Sequence, residues 1–163
     1  MITLHIDDSN PIRYKDTNQF LTSGFAKGNK GLNNKPLKQN NTGLYFENII
    51  YNDIKNLVVP VKEYRKLNDD LYIPDIETNK SIISCKCQET NGTAWQKIPF
   101  ELLDLLHIST QTHKSVLLVM SDYSWRNYFY KTRSYMLYMS VNCPKGIVNV
   151  YTRSSFLKVK NII

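Results

Sequence analysis

One run constrains the fold more than any other: SVLLVMSD, residues 115–122, with five consecutive apolar side chains at its centre. Strand side chains alternate between two faces. A continuously apolar strand therefore has to be covered on both sides. Helices packed on a mixed sheet meet that need. The rest of the chain supplies the parts. Apolar residues at helical spacing (Phe46, Ile49, Ile50, Ile54 and Leu57) predict a helix over GLYFENIIYNDIKNL, residues 43–57. A second helix is expected over TAWQKIPFELLDLLH, 93–107, with a kink at Pro99. ITLHI, VVPVKEYRKL, DLYIPDIE, SIISCKCQ and GIVNVYT read as strands. SDYSWRNYFYKTRSYM reads as a loop leading into a helix, and FLKVKNII as a tail or short helix.

At 163 residues the chain is expected to be one domain with an ordinary core. A composition shift marks GFAKGNKGLNNKPLKQNNT, residues 24–42, as a flexible basic loop, either a solvated linker or an arm against DNA. No apolar run approaches the roughly 20 residues of a membrane-spanning helix. Three cysteines (Cys85, Cys87, Cys143) and no signal peptide suggest free thiols and an intracellular, cytoplasmic location. Cys85 and Cys87 face one way on a strand, but no second Cys/His pair completes a zinc site. His107 and His113 read as helix-end and loop residues. The net charge of +7 favours an anionic partner such as nucleic acid.

The segment DLYIPDIETNKSIISCKC carries the chemistry. If the turn centres on Thr78–Asn79, Asp75 lies across from Ile82, and residues 82, 84 and 86 share its face. That face cannot be pure core, because an unpaired buried lysine is costly. An Asp and a Lys converging at a sheet edge suit phosphodiester hydrolysis. The carboxylate binds a hard divalent cation, which polarises the phosphate and lowers the pKa of a bound water, while the ammonium offsets developing charge. The plainer reading is a partly exposed ion pair of little energetic weight.

Pro74-Asp75 followed by Ser84-Cys85-Lys86 resembles the PD-(D/E)XK nuclease superfamily. SIISCKCQETNGTAWQKIPFELLDLL is similar to a subgroup with the pattern SCKxQxxxGTAEQKxPFE, and SVLLVMSDYSWRNYF also resembles it. The likeness covers roughly residues 43–130. It implies an α/β, restriction-endonuclease-like core, a mixed sheet of four to five strands flanked by helices, and Mg²⁺-dependent cleavage of DNA, with Mn²⁺ as a substitute. The implied catalytic set is Asp75, Ser84, Lys86, Glu47 and Gln96, with Asp75, Glu47 and Cys85 at the metal.

The chain departs from that pattern twice. Ser84 stands where the superfamily has an acid, and Trp95 stands where the subgroup has a compensating Glu. The second carboxylate then comes from Glu101, Glu89 or Glu47. On a continuous α-helix the six residues from Trp95 to Glu101 turn the chain about 600°, putting the two on different faces. Glu89 needs a bulge, and Glu47 needs no distortion. Trp95, Lys97, Trp125, Arg126, Lys131 and Arg133 combine cations with flat rings and suit DNA contact. The expected function is a DNA endonuclease of restriction, homing or repair type, working as a homodimer or higher homo-oligomer, or as a subunit of such a system. The alternative is a nuclease-fold DNA-binding module impaired in catalysis.

Overall fold

The structure, a computed structural model, describes residues 1–14, 42–143 and 145–163. The expected basic loop falls outside these residues, apart from Thr42. The elements run β1 (Ile2–His5), α1 (Thr42–Ile54), β2 (Val58–Val59), β3 (Tyr64–Arg65), β4 (Leu71–Tyr72), β5 (Ile76–Thr78), β6 (Ser81–Lys86), α2 (Ile98–Ser109), β7 (Ser115–Met120), α3 (Asp122–Asn127), α4 (Arg133–Asn142), β8 (Val148–Thr152) and α5 (Arg153–Val159). Short 3₁₀ turns precede α2 and α4, at Ala94–Lys97 and Phe129–Thr132.

The main sheet has the order β1-β8-β7-β6-β5-β2. β6, β7, β8 and β1 pair in parallel, and β5 and β2 add antiparallel. The sheet is mixed, as expected, but has six strands rather than four or five. The additional pairing joins β1 to β8, about 145 residues away in the chain. Such a contact leaves no trace in local pattern. β3 and β4 form a separate two-stranded ribbon, so DLYIPDIE splits between two sheets.

The apolar run of β7 is covered on both faces. Val116, Leu118 and Met120 join Ile82, Val148 and Val150 under α2, α3 and α4. Leu117 and Val119 join Ile76, Ile83, Cys85 and Phe156 under α1 and α5. The β5–β6 connection is tighter than expected, with Thr78 and Ser81 flanking two residues, Asn79 and Lys80. Thr78 Oγ1 accepts the N–H groups of Lys80 (3.1 Å) and Ser81 (2.8 Å) and so closes the turn. The register pairs Ile76 with Ile83 and Glu77 with Ile82. Continuing it brings Asp75 opposite Ser84, not Ile82. The expectation of a shared face survives because the shift is by two residues.

Candidate active site

Lys86 is the last residue of β6, at the C-terminal end of the parallel strands. Ligand crevices in open α/β sheets form at such ends. Lys86 lies 3.9 Å from Asp75 Oδ2 and 3.3 Å from Glu101 Oε1. Its Nζ donates to Ser84 Oγ at 3.0 Å. Ser84 Oγ donates its proton to Glu101 Oε1 at 2.6 Å, a shorter contact than the 3.4 Å to Asp75. Asp75 is 1% exposed, and its Oδ2 accepts the Cys85 N–H at 2.7 Å. Tyr72, on the small ribbon, donates its hydroxyl to Glu101 Oε1 at 3.0 Å. Two carboxylates thus flank one ammonium. A serine holds the centre and a tyrosine fixes the second acid.

The charges reinforce one another. Burial works against the Lys86 ammonium, but Asp75 and Glu101 outweigh it and raise its pKa above the ordinary value. Burial likewise opposes the Glu101 carboxylate. Lys86 and the Ser84 and Tyr72 hydrogen bonds overcome it and lower the pKa. Burial, aided by Glu101 and Asp75, pushes the Tyr72 phenol well up, so it remains a hydrogen donor. At neutral pH Lys86 is charged, which suits charge stabilisation rather than proton abstraction.

The second carboxylate at Lys86 is therefore Glu101, not the favoured Glu47. The reason is local. Ala94–Lys97 is a 3₁₀ turn and α2 begins at Ile98. A 3₁₀ segment turns about 120° per residue, so Glu101 comes back to within about 60° of Trp95's direction instead of about 120°. Pro99 sits in the first turn of α2, where proline is tolerated, and the expected kink is absent. Glu47 is half-buried on α1, which packs on the face of Ile76, Ile83 and Cys85, opposite that of Ser84 and Lys86. Glu89 is buried and accepts the Tyr14 N–H, which ties residues 13–14 to the loop after β6.

Cys85 does not present its thiol to the site. It is 3% exposed and packs in the α1 layer, and only its N–H touches Asp75. Cys87 shares that layer, as alternation requires, and burial pushes its thiol up to about 12. Cys85, Cys87 and Cys143 form no disulfide. Among the described residues no group of three or more His, Cys, Asp or Glu side chains converges on a metal position.

The expected DNA-contacting residues divide. Trp125 is 6% exposed and fills the core beneath α3, so it offers no ring for stacking. Arg126 is exposed and binds Asp8 through its carbonyl (2.7 Å) and carboxylate (3.5 Å). Gln96, Lys97, Lys131 and Arg133 are exposed. Lys131 Nζ lies 5.3 Å from the ring centroid of half-buried Trp95, so the two 3₁₀ turns bring a cation and an indole together. Two residues were not picked out in the sequence. Tyr72 gave no local signal. Gln88 is the glutamine of the SCKxQ pattern: its side chain accepts the Trp95 N–H at 3.0 Å and donates to the Thr90 and Gly92 carbonyls. It therefore fixes the loop that joins Lys86 to α2.

No helix among the described residues is long and apolar enough to cross a membrane. No protein-family model, no curated protein and no solved structure matches this chain.

Proposed function

We propose that the chain is a metal-dependent endonuclease that hydrolyses phosphodiester bonds in DNA. The observation that carries this reading is the arrangement of Asp75 and Glu101 around Lys86, with Ser84 bridging Lys86 and Glu101. Two acids against one base leave a net negative charge at the C-terminal end of β6, in a chain that is +7 overall. The donors fit a hard cation: Mg²⁺ is held by one or two carboxylates, with water and phosphate oxygens completing the shell. Asp75 and Glu101 would hold Mg²⁺ or Mn²⁺, which supplies Lewis-acid polarisation of the phosphate and a water of lowered pKa.

The protein's own residues do the rest. Lys86, kept charged, faces the negative charge that builds on the phosphate in the transition state. Ser84, bonded to both, orients Glu101 and Lys86. Tyr72 donates to the same Glu101 oxygen, Oε1, that Ser84 bonds. Gln96 and Lys97, exposed on the turn that leads into α2, would contact the flanking phosphates, and exposed Lys131 and Arg133 would neutralise the backbone.

A second reading is a DNA-binding module without catalysis. Its support is that Lys86, Ser84, Tyr72 and Glu101 already satisfy one another. Plasmid and branched DNA, incubated with the protein in Mg²⁺ or Mn²⁺, separate the two. Cleavage by the wild type, lost in Asp75→Ala and Lys86→Ala, is the expected result. DNA binding that persists in all three proteins without cleavage in either metal would favour the second reading and sink the first.

A further inference from the structure

A groove of about 510 Å³ opens toward the C-terminal end of α2, whereas Glu101 stands in the first turn of that helix. Leu103 and Leu106 of α2 line it, together with Leu67 at the tip of the β3–β4 ribbon. Leu67 is 62% exposed, yet Asp104 Oδ1 accepts its N–H at 3.3 Å and ties the ribbon tip to α2. His107, Cys143 and Lys145 supply the polar part of the lining, the last two just beyond α4. No Asp or Glu is among the described residues that line the groove. Among the described residues Lys145 is exposed and forms no ion pair.

A concave site of this volume, apolar with a few convergent polar groups, has the character of a small-molecule site. Its seven lining residues fall well short of the roughly 20–30 residues a side of a protein interface. We propose that the groove binds a small amphipathic carboxylate, its hydrocarbon part against Leu67, Leu103 and Leu106 and its carboxylate at Lys145 and His107. The leucines gain by covering an apolar body. The Lys145 ammonium and the His107 ring offer donors to an anionic head, and hydrogen bonds between charged groups are the stronger kind. An amine in the same place would meet the Lys145 charge and find no acid in the lining. The groove shares no residue with the Lys86 site, so its ligand stands or falls apart from the nuclease reading.

Isothermal titration calorimetry with decanoate, in the absence of DNA and metal, tests this. One decanoate should bind per chain, with Kd of about 10–100 μM once the ordering of its chain is set against burial. Decanol should bind about fivefold more weakly, and decylamine more weakly still. Lys145→Glu should weaken decanoate binding about tenfold. Lys80→Glu, the same charge change on the exposed β5–β6 turn, should bind as the wild type does. Leu67→Asp, a change at an exposed position, should weaken both decanoate and decanol about tenfold. At ten times its Kd, decanoate should slow alkylation of Cys143 by iodoacetamide, read by peptide mass, about tenfold. No saturable binding below about 1 mM, equal affinity for decanoate, decanol and decylamine, or unchanged affinity in both Lys145→Glu and Leu67→Asp would overturn the proposal. An unchanged alkylation rate at Cys143 would put the ligand elsewhere and overturn it equally.

Discussion

A buried acid, a lysine and a tyrosine meet at each end of the β5–β6 hairpin, and the two groupings differ in one respect that matters. At the turn end, Glu77 is fully buried. It accepts Lys114 Nζ at 2.6 Å, Tyr64 Oη at 2.8 Å and the Lys62 N–H at 2.7 Å. Lys114 also donates to the Thr78 carbonyl at 2.7 Å. One acid meets one base, both carboxylate oxygens are engaged, and the charge cancels. At the open end, Asp75 and Glu101 share Lys86, whose side chain is 29% exposed, at the longer distances of 3.9 and 3.3 Å. The first grouping is closed and neutral and serves the fold. The second is open and one negative charge in excess, which suits the proposed cation.

Breaking the closed end should have the largest effect on stability. Glu77→Gln leaves Lys114 charged and poorly compensated. Loss of one partner of a buried pair costs about 3–5 kcal/mol, which for a chain of this length is a fall of roughly 10 °C in Tm. Thermal denaturation followed by circular dichroism checks it. The same experiment on Lys86→Ala, which is partly exposed, should show a clearly smaller fall. Equal losses at the two ends would erase the distinction.

Next in size is the loss of Glu101. Glu101→Gln keeps the shape and still accepts from Ser84 and Tyr72, but removes a charge. Cleavage should fall about 10²–10³-fold, the scale found when one electrostatic group is removed from an active site, while Tm moves little. Glu47→Gln, on α1, is the matched control. If Glu47→Gln abolishes cleavage and Glu101→Gln does not, the second carboxylate has been assigned to the wrong helix.

Much of this arrangement was legible in the sequence, and the exceptions have physical causes. The unbroken apolar run of 116–120 and the polar residues 75, 84 and 86 are local patterns, and they pointed to the two-sided sheet and the shared face. Glu101 was a candidate that helical geometry argued against, because a 3₁₀ turn and an α-helix rotate the chain differently and the sequence does not announce which one Ala94–Lys97 adopts. Tyr72 reaches the site from a ribbon outside the main sheet, and β1 joins it across nearly the whole chain. Neither fact is local. Trp125 looked like a ligand-facing aromatic because aromatic composition is the same for a core and for a platform.

The smallest expected effect is the most discriminating. If Trp95 occupied the place of a missing acid, Trp95→Glu would restore the acid and raise cleavage. The structure gives the acid to Glu101, six residues on, and gives Trp95 another setting, against the core and under the Lys131 ammonium. A carboxylate at 95 would keep Lys131 as a charge partner but lose the indole packing, and it would come near Lys86 only by displacing Glu101. Trp95→Glu should therefore leave cleavage unchanged or lower it a few-fold, with a modest loss of Tm. An increase in rate, measured on the same substrate and at the same metal concentration, would mean that Glu101 is not the acid that works with Asp75.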